Sequence, residues 1–169
     1  METFTTNIRP ARKSSNASGM EANDIYSIVA QNKNGQLMTG AVKILLAEDN
    51  PADVYLIEEA LREHQVPFEM MVAEDGEAAI AMIVGGKVAP DLVLLDLNMP
   101  KRSGGEVLTL LREQPHCRTL PVVVLTSSDS PSDRDEALRL GATSYIRKPT
   151  GLDDFLQIGA AIKQLLGRK

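Results

Sequence analysis

The sequence predicts an α/β fold, built on a doubly wound parallel sheet with helices packed on both faces. From residue 42 onward, short apolar segments alternate five times with amphipathic ones. The segment Leu92–Leu95 shows no polar alternation, which is typical of a strand buried on both faces of a sheet. Consecutive parallel strands need a crossover connection, which is usually a helix, and the amphipathic segments supply these helices.

The first predicted strand is Val42–Ala47, an apolar run that ends at an acidic pair. Asn50 is a favourable N-cap residue after this strand. Pro51 takes the first helical position, where the N–H that it lacks is not needed. The helix is expected to run to about His64. Its apolar face would carry Val54, Leu56, Ile57, Ala60 and Leu61.

The other four strands follow at regular intervals, each with a helix after it. They are expected at residues 68–73, 91–96, 121–125 and 144–147. The second helix is expected to open at Asp75-Gly76 and the third at Ser103 and Gly104. The fourth has Pro131 at its first helical position, and residues 150–153 are expected to cap the last one.

Two of these helices carry further expectations. The segment from Ser130 to Asp133 is close to a capping box, and Gly141 is expected to end that helix. The last helix is expected to turn an apolar face inward, made of Leu152, Phe155, Leu156, Ile162 and Leu166. With five strands and five crossovers, the predicted strand order is the flavodoxin-like 2-1-3-4-5, which brings the first and third strand ends together.

Residues 1–41 form a separate region, rich in Ser, Thr and Asn and with little apolar periodicity. They are expected to be a flexible or partly ordered N-terminal extension to a domain spanning 42–169. The apolar residues of 25–29 and the Asn34-Gly35 turn signal leave open a small added strand or a docking segment.

Composition excludes several classes of function. The net charge of -5 argues against nucleic acid or an anionic membrane surface as the main partner. Cys117 is the one cysteine, so no disulfide forms within the chain and a reducing, cytoplasmic compartment is expected. No apolar run is long enough to span a bilayer, and the first 20 residues lack a signal-peptide core.

Charged and hydroxyl side chains follow four of the strands. Because parallel strands end at one edge of the sheet, we expect these residues to converge there. Three carboxylates held close repel one another unless a cation joins them, and Mg²⁺ prefers such oxygen ligands. A lysine and a hydroxyl beside them would suit a phosphoryl group in transfer, with in-line attack by a carboxylate giving an aspartyl phosphate. The residues are Glu48 and Asp49, Asp96, Thr126, and Lys148.

From about Val42 onward the chain resembles the response regulator receiver domains of two-component signalling, of the chemotaxis-regulator type. The resemblance rests on Glu48-Asp49, the DLNMP segment at Asp96, Thr126 and Lys148-Pro149, in this order and at the family's separations. The segments EDNPADVYLIEEAL and LTSS also resemble the single-domain regulators that partner bacterial phytochrome kinases.

The resemblance implies a role for each matching residue. Asp96 would accept the phosphoryl group, and Thr126 and Lys148 would bind its oxygens. Tyr145 falls on the family's aromatic switch position. Mg²⁺ would be held directly by Asp49 and Asp96, by the backbone carbonyl of Asn98, and through water by Glu48.

The expected function is therefore a phosphorylation switch and not an enzyme with its own substrate. A sensor histidine kinase, for which the second resemblance suggests the phytochrome type, would phosphorylate Asp96 and so change the surface formed by the fourth helix, fifth strand and fifth helix. Little sequence follows the last helix, so no output domain is expected, and output would pass through protein contacts such as homodimerisation. A phosphorelay intermediate and a phosphate sink remain alternatives.

Alternatives of other classes are less well supported by the residues. An aspartyl-phosphate phosphatase usually has a second Asp two positions after its nucleophile, where this chain has Asn98, which cannot act as a general acid. A flavin-binding protein would need a phosphate-cradling loop after the first strand, but that loop is acidic. A degenerate receiver is disfavoured because every chemical position is filled.

Overall fold

The computed structural model describes residues 30–31, 37–38, 40–86 and 88–167. Two short strands, β1 (Ala30–Gln31) and β2 (Leu37–Met38), pair in antiparallel fashion. They flank the Asn34-Gly35 turn signal, which lies outside the described residues, as do the apolar residues of 25–29.

The remaining strands form one parallel sheet in the order β4-β3-β5-β6-β7. Counted along the sheet's own five strands, this is the predicted order 2-1-3-4-5. The centre of the sheet is fully buried, because every residue of β5 and β6 has no more than 1% exposure. The strands are β3 (Val42–Ala47), β4 (Phe68–Ala73), β5 (Leu92–Leu95), β6 (Val122–Thr126) and β7 (Ser144–Arg147).

A helix follows each strand of the sheet, as predicted. A short 3-10 turn at Pro115–Cys117, which the sequence did not predict, comes between α3 and β6. None of the helices in the described part of the chain has both the length and the apolar character needed to cross a bilayer. The helices are α1 (Pro51–Glu63), α2 (Gly76–Val84), α3 (Gly104–Glu113), α4 (Pro131–Arg139) and α5 (Leu152–Leu166).

Both faces of the sheet are covered. Leu45 and Val93 pack in one cluster with apolar residues of α2 and α3, such as Ile83 and Leu108. Their strand neighbours Ile44, Leu46, Leu92 and Leu94 point to the opposite face and are also fully buried. On that side, α1 and α5 approach closely where Gly159 lies against the backbone of Ala60.

The helix caps agree with the sequence in part. Asn50 caps α1 by accepting from the backbone N–H of Ala52 at 3.0 Å, as expected. The expected capping box at Ser130 is wrong, because the Ser130 side chain makes no cap hydrogen bond and instead pairs with Ser132 Oγ at 2.7 Å. A complete capping box occurs at Ser103, where it was not predicted.

The inward face of α5 also differs from the prediction. Phe155 and Ile162 are buried as expected, but Leu152 is 59% exposed. The buried stripe is Phe155, Ile158, Gly159 and Ile162, at helical spacing of three and four. Leu152 extends that spacing by one turn, but it is the first residue of the helix and remains in solvent.

Candidate functional site

Three of the predicted site residues stand one position beyond a strand, and each is held by the backbone of a neighbouring strand. The N–H of Glu48 donates to Ala73 O at 3.0 Å, and the N–H of Asp96 donates to Ala47 O at 3.0 Å. The N–H of Lys148 donates to Thr126 O at 2.8 Å. The sheet therefore fixes the backbone from which these side chains reach the common edge.

The ammonium group of Lys148 lies at the centre of the site. Its Nζ donates to Glu48 Oε2 at 2.6 Å, to Asp96 Oδ2 at 2.7 Å and to Asp53 Oδ2 at 2.8 Å. The side chains of Lys148, Glu48 and Asp96 are no more than 7% exposed, and that of Asp53 is 21% exposed. Buried charges are retained when they are paired in this way.

The pKa of Lys148 reflects two opposing effects. Burial alone would lower it, since the charged form loses its hydration. The hydrogen bonds to Asp53, Asp96 and Glu48 outweigh that effect, so the pKa of Lys148 stands well above its usual range. The lysine is therefore a permanent cation at the edge of the sheet.

Three carboxylates converge beside this cation. Glu48, Asp49 and Asp96 each offer an oxygen, and these oxygens lie within 4.8 Å of one another. Glu48 and Asp96 are buried, whereas Asp49 is exposed and leaves the cluster open to solvent. Carboxylate oxygens at such separations fit a hard divalent cation, which takes one or two carboxylates and completes its shell with water.

Asn98 and Thr126 also belong to the site, and both are linked to Asp96 by hydrogen bonds, Asn98 directly and Thr126 through Asn98. The backbone N–H of Asn98 donates to Asp96 Oδ1 at 3.0 Å, so both oxygens of Asp96 have a donor. The side-chain amide of Asn98 donates to Thr126 Oγ1 at 3.4 Å. Thr126 is fully buried, and its hydroxyl also accepts from the N–H of Ser128 at 3.3 Å.

Tyr145 is not part of this cluster. It lies on β7 and is partly buried, and its hydroxyl donates to the backbone carbonyl of Ser128 at 3.0 Å. Thr126 and Tyr145 thus hold the N–H and the carbonyl of one residue in the loop between β6 and α4. A tyrosine that contacts this loop is connected with the site through Ser128 and Thr126.

Asp53 is a site residue that the sequence analysis did not identify. It belongs to the first turn of α1, four positions after Asp49, and its partner Lys148 is 95 positions away. The available signal was a carboxylate in the first turn of the helix that follows the acidic pair. The sequence alone does not give the rotation of α1 about its axis, which decides whether Asp53 faces the site.

The chain belongs to the response regulator receiver domain family, whose family model matches residues 44–159. Among curated proteins, the response regulator Rcp1 of Synechocystis sp. is 35% identical over 125 residues, which are 71% of this chain and 85% of Rcp1. The fold and the family are therefore those that the sequence predicted.

Solved structures agree with this membership. The phosphorylated cyanobacterial phytochrome response regulator RcpA is 38% identical with a TM-score of 0.69, over 75% of this chain and 94% of RcpA. The Mn²⁺-bound form of Rcp1 is 34% identical with a TM-score of 0.69, over 74% of this chain and 94% of that one. Receiver domains are phosphoryl-accepting signalling modules that bind a divalent metal and work with sensor histidine kinases.

Proposed function

We propose that this chain is a response regulator in which a sensor histidine kinase transfers a phosphoryl group to Asp96. The observation that carries the proposal is the contact of 2.7 Å between Lys148 Nζ and Asp96 Oδ2, inside a cluster of three carboxylates that suits a divalent cation. A carboxylate in contact with a fixed cation and beside a metal site can receive a phosphoryl group without a build-up of negative charge.

In the proposed reaction, a carboxylate oxygen of Asp96 attacks phosphorus in line with the donor histidine nitrogen. The P–O bond forms as the P–N bond breaks, and the electron pair of that bond stays on the histidine nitrogen, which takes up a proton. Lys148 turns from the Asp96 carboxylate to a phosphoryl oxygen, and the Thr126 hydroxyl donates to another. The N–H of Asn98 keeps its place beside Asp96.

We infer that Mg²⁺ is the metal, held by Asp49 and Asp96 directly, by the backbone carbonyl of Asn98, and through water by Glu48. When bound there, Mg²⁺ would neutralise charge on the carboxylates and orient the phosphoryl oxygens. The exposure of Asp49 supports a cation site at this edge, because a cation can enter from the solvent side past Asp49.

The output step follows from the links around Ser128. When the Thr126 hydroxyl turns to donate a hydrogen bond to the phosphoryl group, its oxygen moves relative to the two groups that donate to it, the side-chain amide of Asn98 and the N–H of Ser128. Tyr145 holds the carbonyl of the same residue, so a shift there alters the face made of α4, β7 and α5. This is a shift between two populations, driven by the better contacts of the phosphoryl group in one of them.

The test of the proposal is labelling with a small phosphodonor in the presence of Mg²⁺. Asp96→Asn removes the attacking oxygen and is expected to abolish labelling. Asp91→Asn is the matched control, because Asp91 precedes β5 where Asp96 follows it and accepts from the N–H of Lys43. The proposal fails if Asp96→Asn is labelled as strongly as the unaltered chain. It also fails if neither the unaltered chain nor Asp91→Asn takes up phosphate.

We further propose a phytochrome-type histidine kinase as the donor, supported by the likeness to RcpA and Rcp1. Transfer from such a kinase is expected to be at least about tenfold faster than from an unrelated histidine kinase, which corresponds to about 1.4 kcal/mol of discrimination between the two interfaces. Equal rates would contradict this assignment and leave the phosphoacceptor role of Asp96 unaffected.

Homodimerisation through the face of α4, β7 and α5 is proposed as the output contact. Sedimentation of the labelled and unlabelled chain is expected to show dimer only after phosphorylation. A chain that stays monomeric in both states would point to the alternatives, a phosphorelay intermediate or a phosphate sink.

A further inference from the structure

Lys148 has a third carboxylate partner, Asp53, that lies outside the cluster of Glu48, Asp49 and Asp96. A lysine ammonium has three N–H donors. All three are used, on Glu48, Asp96 and Asp53 at 2.6–2.8 Å. The lysine is therefore saturated before any metal or phosphoryl group reaches the site.

The three partners differ in what else they can hold. Glu48 and Asp96 belong to the group of acids whose oxygens lie within 4.8 Å of one another, whereas Asp53 does not. A divalent cation bound to that group would compete with the ammonium for the same oxygens and repel it. Asp53 lies on α1 and is 21% exposed, and its carboxylate would not bind the cation. It therefore stays available to the lysine.

The lysine has no simple alternative to this partner. Its backbone is fixed by the hydrogen bond to Thr126 O, and its side chain is 7% exposed. A buried ammonium that loses two of its carboxylates needs the third, because an unpaired buried charge is costly. Without Asp53, the ammonium would stay on Glu48 and Asp96 and oppose the metal.

We propose that Asp53 is a positioning residue that keeps the Lys148 ammonium in the site, clear of the metal-binding oxygens, while the three acids hold a divalent cation. This inference rests on the proposed function, because phosphoryl transfer is the reason why Lys148 must stay in the site. An ordinary acid in the first turn of a helix interacts with the helix dipole, and that interaction would not depend on a lysine. The proposed role of Asp53 does depend on Lys148.

The experiment is a double-mutant cycle on metal affinity, measured by calorimetric titration of the full chain with Mn²⁺ and needing no phosphoryl chemistry. Asp53→Ala is expected to weaken Mn²⁺ binding on the order of tenfold, as for other residues that hold the partners of a metal site. In a Lys148→Met background, the same change is expected to alter the affinity by less than about twofold, because the competing ammonium is gone.

The proposal is overturned if Asp53→Ala weakens binding equally in both backgrounds, since Asp53 would then act only as a distant negative charge. Glu77→Ala, which removes an acid from the first turn of α2, is the control for a general charge effect and is expected to bind as the unaltered chain does. If Asp53→Ala does not fold, Asp53→Asn takes its place in the cycle. A chain that shows the coupling but no labelling of Asp96 would refute the proposed function and leave this inference standing.

Discussion

Gly159 of α5 lies directly against the backbone of Ala60 of α1, so closely that a Cβ atom at Gly159 would stand 1.9 Å from Ala60 O. The two helices on this face of the sheet are therefore in backbone contact. A residue with any side chain at this position would force them apart.

Gly159→Ala is expected to lower the free energy of unfolding by about 3 kcal/mol, the upper part of the range for overpacking. Alanine normally favours a helix over glycine by about 1 kcal/mol, so the effect runs against propensity. Gly105→Ala in α3 is the control, because a Cβ there would make ordinary contacts with Leu140 at 3.8 Å and Ser103 Oγ at 4.0 Å, and it is expected to be neutral or stabilising. Urea unfolding measures both, and equal effects would refute the contact.

Ser103→Ala is expected to cost about 1 kcal/mol of stability, because it removes the capping box that Ser103 and Glu106 form at the start of α3. Ser130→Ala at the start of α4 removes no cap hydrogen bond and is expected to stay within about 0.5 kcal/mol of the unaltered chain. The comparison is made by urea unfolding at one pH. A larger loss for Ser130→Ala than for Ser103→Ala would contradict the observed caps.

Lys148→Met is expected to lower stability by about 3 kcal/mol in the absence of metal, since it leaves two buried carboxylates and Asp53 without their cation. Added Mg²⁺ is expected to restore part of that loss, because the metal supplies positive charge to the same oxygens. The measurement is urea unfolding with and without Mg²⁺. Lys163→Met, which removes an exposed lysine bonded to His64 O, should show no such dependence on metal.

Lys101→Gln is expected to reduce stability at neutral pH, by an amount that vanishes in acid. Lys101 Nζ lies 2.6 Å from Asp75 Oδ2, and this hydrogen bond lowers the pKa of Asp75 below its ordinary value of 3.8. A lowered folded-state pKa means that the stabilisation is present above 3.8 and is lost as pH falls through the folded value. The unfolding free energies of the unaltered chain and of Lys101→Gln should therefore converge as the pH is lowered. A difference that persists at the lowest pH would assign the effect to packing.

Tyr145→Phe is expected to loosen the loop between β6 and α4, because it removes the hydroxyl that donates to Ser128 O. Backbone amide exchange in residues 127–130 should become faster on the order of fivefold, the loss of about one hydrogen bond. Exchange in β5 should not change. A uniform increase through the sheet would mean that the variant lowers overall stability instead.

Much of the fold could be predicted because its signals are local. The apolar run Leu92–Leu95 and the capping residue Asn50 need no tertiary knowledge to interpret, and the strand order follows from general rules of connection. The meeting of Glu48, Asp96 and Lys148 follows in turn, since each stands just after a strand of one parallel sheet.

The errors have physical reasons of another kind. The serine pattern at Ser130 matched a capping box, but the side chain at the third helical position, Asp133, accepts a hydrogen bond from Ser128 Oγ instead. Ser103 and Glu106 carry the Ser-x-x-Glu pattern of a capping box, although none was predicted there. Asp53 was missed because its contact depends on how α1 is rotated against the sheet, which only tertiary packing decides.

The backbone bonds that hold Glu48, Asp96 and Lys148 to the neighbouring strands have a consequence for how a signal leaves the site. Chemistry at this edge cannot displace those three main-chain positions without breaking the sheet itself. If the proposed function holds, change is therefore expected in the loop around Ser128, whose N–H and carbonyl are held by the side chains of Thr126 and Tyr145.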